Sequence, residues 1–175
     1  TVGRSTAGNY VYSASDEYTR QGIRSLSSIW RLTSVNSSYE VCPTYPSLLV
    51  IPKQCSENDI VEIANFRSKG RLPVLTYYSK ATQGGILRSS QPMVGVRQKR
   101  SREDERFIDI AGASVIMDLR PKKNAVGNMA MGKGFENIAN YTNTKLLFMD
   151  IENIHVIRNS LNQCWLTALQ DDEGR

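Results

Sequence analysis

Apolar residues fall in short runs along the chain, and polar stretches of two distinct periods separate them. Ser15 ahead of DEYTRQGI, with acids in the first turn and Gly22 near the end, predicts a short helix. Trp30 to Val35 reads as a strand, and the turn-rich NSSYEVCPTYPS leads to LLVIP, a buried strand stopped by Pro52. Ser56 with Asp59 three residues on is a capping-box variant, and Ile60, Ile63, Ala64 and Phe66 form the apolar stripe of the helix it starts. Gly70 follows, where a left-handed cap suits glycine. RLPVLTYY and ILRSS read as two strands of a hairpin turning at Gln83-Gly84-Gly85. The charge run RQKRSREDER leads into a helix with Phe107, Ile108 and Ile110 on one side. SVIMDL and KLLFMDI are continuous apolar runs, the pattern of strands buried on both faces. The glycine-rich NAVGNMAMGKG lies between them as helix or loop, and IHVIRNSL begins a last helix. Strands alternating with helices predict an α/β layer fold with a mixed sheet.

Hydrophobic residues make up 40% of the 175, an ordinary globular share, and residues 1–9 are small and polar, a linker or disordered start. No apolar run approaches the roughly 18 residues that span a bilayer. TVGRSTAGNY has no apolar core of a signal peptide. Three cysteines without framework or metal spacing read as reduced thiols in the cytosol. The net charge of +5 and pI near 9.2 favour anionic partners, although a solvated surface with a mild basic excess accounts for them equally well.

Cysteine-based phosphatase chemistry needs a thiolate in a loop of backbone N–H groups, with an arginine six positions on to clamp the phosphoryl oxygens. Six residues after Cys42, Cys55 and Cys164 stand Leu48, Val61 and Gln170, so none qualifies as the nucleophile. The one histidine, His155, reads as structural, and a zinc site or a histidine-based triad lacks its residues. Glu103, Asp104 and Glu105 read as a solvated helix face. Asp118 and Asp150 each end an apolar strand. Ligands of open α/β sheets sit beyond the carboxyl ends of strands, so the loops RPKKNAVGNMA and IENIH are site candidates. Alternatively, the two aspartates cap the helices that follow. Gly127, Gly132 and Gly134 do not make a P-loop. Basic residues fall in three patches: Arg67, Lys69 and Arg71; Arg97, Lys99, Arg100 and Arg102; Arg120, Lys122 and Lys123. They lack interleaved aromatics and any reading motif, which argues against nucleic acid; phosphates on a membrane surface suit them.

The strings IANFRSKGRLPVLTYY, ILRSSQPMVG, KRSREDERFID, MDLRPKKNAVGNMAMGKGFEN and LLFMDIENIHVIRNSL resemble the myotubularin family, in the family's order, over roughly positions 10 to 162. GKGFEN and IENIHV are most similar to the branch holding myotubularin-related proteins six, seven and eight. The resemblance implies a protein-tyrosine-phosphatase-like mixed sheet flanked by helices. Residues 10–175 would form the amino-terminal part of that domain, without its cysteine loop. It implies hydrolysis of the 3-phosphate of phosphatidylinositol 3-phosphate and of the 3,5-bisphosphate through a phosphocysteine, with no metal or other cofactor. It also implies a cytoplasmic protein peripheral on endosomal membranes, and homo- or hetero-oligomers with other family members. The family's His-Cys-Ser-Asp-Gly-Trp-Asp-Arg motif is absent, so no catalytic residue is carried over. By motif, Asn128, Asn153 and Ile154 match the family's substrate contacts; the alternative is that the asparagines cap helices or hold the cysteine loop. The family also contains inactive members that regulate active ones, and a chain without the cysteine loop fits that class too. Connections are shorter than the family's near Ala111 and Gln163, so a continuous helix from Ile154 to Leu169 is not expected. If part of the sheet is missing, strand edges should lie open.

Overall fold

The computed structural model describes residues 12–23 and 29–173, with side chains through residue 169, so the expected linker or disordered start, residues 1–9, lies outside the described residues. Among the described residues it is an α/β arrangement of five α-helices and three two-stranded ladders. Helix α1 (Ala14–Arg20) is capped by Ser13, whose hydroxyl accepts from Asp16 N at 3.3 Å. The cap is therefore not Ser15, which sits inside the helix. Ser13 has the extended φ/ψ (−120°, 113°) that a capping residue needs, and Asp16 and Glu17 still fall in the first turn.

Strand β1 (Trp30–Thr33) pairs antiparallel with the fully buried β2 (Leu49–Pro52). β1 ends two residues early because the Thr33 hydroxyl accepts from Val35 N and turns the chain. The turn-rich segment that follows closes around Asn36, which is fully buried. Its Nδ2 donates to the carbonyls of Cys42, Tyr45 and Pro46, while its Oδ1 accepts from Cys42 N. One side chain thus satisfies four backbone groups that have no strand to pair with.

Helix α2 (Glu57–Phe66) carries the expected capping box, Asp59 N to Ser56 Oγ at 3.1 Å and Ser56 N to Asp59 Oδ2 at 2.8 Å. Its Ile60, Ile63 and Ala64 are buried with Leu49, Ile51, Leu72 and Phe107 in the main core, while Phe66 is half-buried. After α2 a short 3₁₀ turn holds Lys69 and Gly70 at positive φ, 63° and 68°. A side chain at Gly70 would meet the Val41 carbonyl at 2.6 Å, so glycine is required there. Strand β3 (Val74–Tyr78) pairs antiparallel with β4 (Gly85–Arg88) through a bulge at Thr76. Helix α3 (Arg102–Ile110) is capped by Ser101 and buries Phe107 and Ile108. Strand β5 (Val115–Asp118) lies parallel to β6 (Lys145–Phe148), and between them come α4 (Lys122–Gly127) and two 3₁₀ turns, Asn128–Met131 and Ile138–Asn140.

The structure corrects three expectations. First, the acids of the SREDER run are not all solvated. Asp104 is fully buried and holds the guanidinium of Arg67 in a bidentate pair, Nε to Oδ1 at 2.7 Å and Nη2 to Oδ2 at 2.5 Å. Nη1 of Arg67 donates to Glu136 Oε1 at 2.6 Å and to the Ser90 carbonyl at 3.1 Å. Arg67 is buried and belongs to no surface patch. Second, β5 and β6 are covered on one face only. Val115, Met117 and Leu147 are exposed, while Ile116, Leu146 and Phe148 are half-buried, because nothing among the described residues covers the second face. Third, α5 (Ile154–Glu173) runs unbroken across the shortened junction, with every described side chain exposed.

Removing one partner of a buried ion pair strands the other charge in a low dielectric. Asp104→Ala is therefore expected to lower unfolding free energy by about 3–5 kcal/mol. Arg102→Ala, on the exposed side of the same helix turn, should stay within about 0.5 kcal/mol of the parent. Chemical denaturation of both variants checks the contrast.

Candidate functional site

Parallel pairing sends the segments after β5 and β6 out at the same end, where they run side by side. Met149 N donates to the Asp118 carbonyl at 2.9 Å and Ile151 N to the Leu119 carbonyl at 2.9 Å. Asp150 turns the second segment with φ 52°, and Lys123 at the start of α4 reaches Glu152 at 3.7 Å. The two loops singled out by strand topology therefore do adjoin.

Neither strand-terminal aspartate caps a helix. Helix α4 starts after Pro121 without a side-chain cap. Asp118 instead grips Arg120, with Oδ1 accepting from Nε at 2.9 Å and Oδ2 from Nη2 at 2.6 Å. The cap of α5 is Asn153, whose Oδ1 accepts from His155 N at 2.9 Å and Val156 N at 3.3 Å. Capping thus occupies the oxygen of Asn153, which is exposed beside the exposed Ile154. Asn128 is half-buried. Its backbone N–H closes α4 on the Asn124 carbonyl, and its Nδ2 donates to Gln91 Oε1 at 3.3 Å. Asn128 and Asn153 share one end of the β5–β6 pair without touching each other.

Gln91 escaped the sequence reading as a functional residue, while Arg120 was read only as a surface cation at the start of a candidate loop. Arg120 Nη1 donates to the same Gln91 Oε1, and Nη2 donates to the Gly134 carbonyl at 2.9 Å. Gln91 is itself pinned, since its carbonyl accepts from Ser68 N at 3.1 Å just after α2. The only trace of this cluster in the sequence is that SSQP, DLRPK and GKGFEN occur together.

Below the cluster opens a groove of about 1040 Å³ between β4 and β5, lined by every residue of both strands and ending at Asp118, Arg120 and Glu136. Among the described residues β4 pairs with β3 alone and β5 with β6 alone, so two unpaired strand edges border the groove, as anticipated for an incomplete sheet. Burial pushes the Asp104 carboxyl up against the pull of Arg67. Burial beside Glu136, to which the Tyr141 hydroxyl donates at 2.5 Å, holds that phenol well above the usual tyrosine range.

Cys42 and Cys55 are buried and Cys164 is exposed on α5; burial pushes the Cys55 thiol up, away from the thiolate. His155 lies exposed in the first turn of α5. Lys69, Lys99, Arg102, Lys122 and Lys123 remain exposed cations. No group of three or more histidine, cysteine or acidic side chains with metal-binding geometry occurs among the described residues, and no helix among them is long and apolar enough to cross a membrane.

A family model of the myotubularin-like phosphatase domain matches residues 2–174. Similar proteins include myotubularin of Xenopus laevis, 46% identical over 160 residues, which cover 87% of this chain and 26% of that protein. The phosphatidylinositol-3,5-bisphosphate 3-phosphatase MTMR2 of Bos taurus is 46% identical over 160 residues, 87% of this chain and 25% of that protein. MTMR2 of Pongo abelii is 47% identical over 154 residues, 84% of this chain and 24% of that protein. The chain spans about a quarter of the length of these relatives.

If Asn153 is the cap of α5, Asn153→Ala should destabilise the start of that helix by about 1 kcal/mol, and Asn153→Asp should not. Amide exchange at His155 and Val156, the two N–H groups that Asn153 accepts, reads the difference directly.

Proposed function

The chain belongs to the myotubularin-like phosphatase family, and from that membership we propose that it is the amino-terminal part of a phosphoinositide 3-phosphatase domain. In this reading the substrates are phosphatidylinositol 3-phosphate and the 3,5-bisphosphate, and the nucleophile is a cysteine outside these 175 residues. Its thiolate attacks the 3-phosphorus, the bond to the inositol oxygen breaks, and that oxygen leaves protonated; water then hydrolyses the phosphocysteine. Asn128 and Asn153 bind the headgroup as uncharged donors, with Ile154 beside them.

The observation that carries this reading is that both post-strand loops leave the same end of β5–β6, and that Leu119 and Arg120 of the first line a groove bordered by two unpaired strand edges. A strand added between β4 and β5 would join the ladders into one sheet. Its following loop would emerge beside Asp118, Arg120 and Asn128, where a phosphate cradle is needed. The relative MTMR2 is named for 3-phosphatase action on the 3,5-bisphosphate, which supports the substrate class. The exposed lysines and arginines suit the anionic surface of an endosomal membrane, on which the protein would act peripherally. The exposed apolar residues of α5, among them Ile157, Leu161 and Trp165, call for cover by further chain or by another family member.

A second reading is a regulatory protein that binds the lipid without turnover, in line with the inactive members that the family resemblance also implies.

Malachite-green detection of phosphate released from phosphatidylinositol 3-phosphate vesicles separates the two, using the longest product of the gene that contains these residues. The enzyme reading expects turnover that is lost when the cysteine six residues before an arginine becomes serine. Asn128→Ala should lower kcat/KM by about 10- to 100-fold, the worth of one hydrogen bond to a charged or strongly polar ligand group. Vesicle binding with no phosphate release would instead establish the regulatory reading.

A further inference from the structure

The Arg120 cluster contains a chain of hydrogen bonds whose polarity is fixed from one end. Asp118 is an acceptor toward Arg120, and a guanidinium can only donate. The Gln91 atom facing Arg120 must therefore be its oxygen, and a second neighbour of that oxygen must also be a donor. Asn128 is that neighbour, so its nitrogen faces Gln91 and its oxygen faces away. An asparagine amide left to itself turns freely between two nearly isosteric orientations. Here the charge of Arg120, two residues removed, selects one of them.

We propose that Arg120, acting through Gln91, is a positioning residue that fixes the Asn128 amide with Oδ1 outward, as an acceptor for a hydroxyl of the inositol ring, and with its second N–H outward as a donor for a phosphate oxygen. The proposal rests on Asn128 being a headgroup contact and adds what that contact can read. A fixed outward acceptor selects a ring hydroxyl at that position, where a freely turning amide could equally accept from a hydroxyl or donate to a phosphate oxygen.

The surroundings hold the relay rigid. Arg120 is tied at four points: its own backbone N–H and its side chain on Asp118, Gln91 Oε1, and the Gly134 carbonyl. An added Cβ at Gly134 would lie 2.4 Å from Val94 Cγ2, so any other residue there would force Val94 to shift. Gln91 is held through its backbone at the end of α2. Asn128 sits at the start of a 3₁₀ turn, with its φ/ψ fixed by α4. The relay needs no motion to act, and it spans three separate stretches of chain.

The test uses the ¹⁵N-labelled chain, with inositol 1,3-bisphosphate as probe and inorganic phosphate as control. In the parent, the Asn128 side-chain amide should give a dispersed resonance pair protected from exchange. Gln91→Leu removes the shared acceptor and should collapse that pair to the free-amide position. Gln91→Glu keeps an oxygen toward both donors and should preserve it. Arg120→Gln should let Gln91 turn and split or broaden the Asn128 signal. Where the parent binds inositol 1,3-bisphosphate, Gln91→Leu should weaken binding about tenfold, and Asn128→Ala added to it should cost nothing more, as for two residues acting as one unit. Inorganic phosphate, which has no ring hydroxyl, should lose less affinity than inositol 1,3-bisphosphate on Gln91→Leu.

A purely structural role for the cluster predicts otherwise: Gln91→Glu and Gln91→Leu would shift many backbone resonances together and leave the Asn128 pair unselected. That result overturns the proposal, as does additive loss in the double variant. Failure of the parent to bind the headgroup overturns Asn128 as a headgroup contact in this chain, while the side-chain resonances still decide whether Arg120 sets its orientation. If Arg120→Gln does not fold, the Gln91 pair of variants carries the decision alone.

Discussion

Arg67 is the buried charge around which the rest of this chain is arranged. It leaves the carboxyl end of α2, where the chain must turn, and its guanidinium meets Asp104 from α3 and Glu136 from the glycine-rich segment before β6. Two carboxylates around one guanidinium leave a net negative charge in the interior. The Tyr141 hydroxyl relieves it by donating to Glu136. A network of this kind adds little net stability over an apolar replacement, but each member is costly to lose once the others are in place. Its effect is specificity of arrangement: the helix pair α2–α3 and the segment leading to β6 can meet in only one register.

That arrangement also sets the candidate site. Fixing Glu136 fixes Gly134 two residues earlier, whose carbonyl takes the Arg120 guanidinium. Fixing the end of α2 fixes Gln91, whose backbone hydrogen-bonds there. The two post-strand loops are therefore held by the same interior charges that hold the core, and the groove between β4 and β5 keeps its walls without a strand inside it.

Local signals were readable in the amino-acid sequence, and long-range ones were not. The Ser56–Asp59 box, the apolar stripe of α2 and the hairpin turn follow from residues within a few positions of each other. So does the open state of two strand edges once the resemblance is read as partial. The N-cap of α1 was misplaced by two residues, since Ser13 and Ser15 look alike until φ/ψ distinguishes them. Asp104 was hidden because an acid between two glutamates reads as solvated, and only a partner 37 residues away, itself read as a surface cation, buries it. SVIMDL and KLLFMDI were read as buried on both faces because composition records what a strand can bury and not what is present to cover it. Of the three candidate contacts, Asn128 and Asn153 follow the two parallel strands β5 and β6, as their place in the sequence implies. That place could not show that Asn153 spends its oxygen on α5, nor that Asn128 answers to Gln91.

The separation of Arg67 from Glu136 along the chain has a consequence for biosynthesis. The two residues lie 69 positions apart, so at about 5–20 residues per second a ribosome needs roughly 3–14 s to deliver the second carboxylate after the guanidinium. Until then the guanidinium of the nascent α2 can meet Asp104, 37 positions on, and Nη1 still lacks its carboxylate. Sealing of this interior is therefore a late event of translation, and a pause or truncation before Glu136 would release a polypeptide that chaperones, and not its own packing, must keep from aggregating.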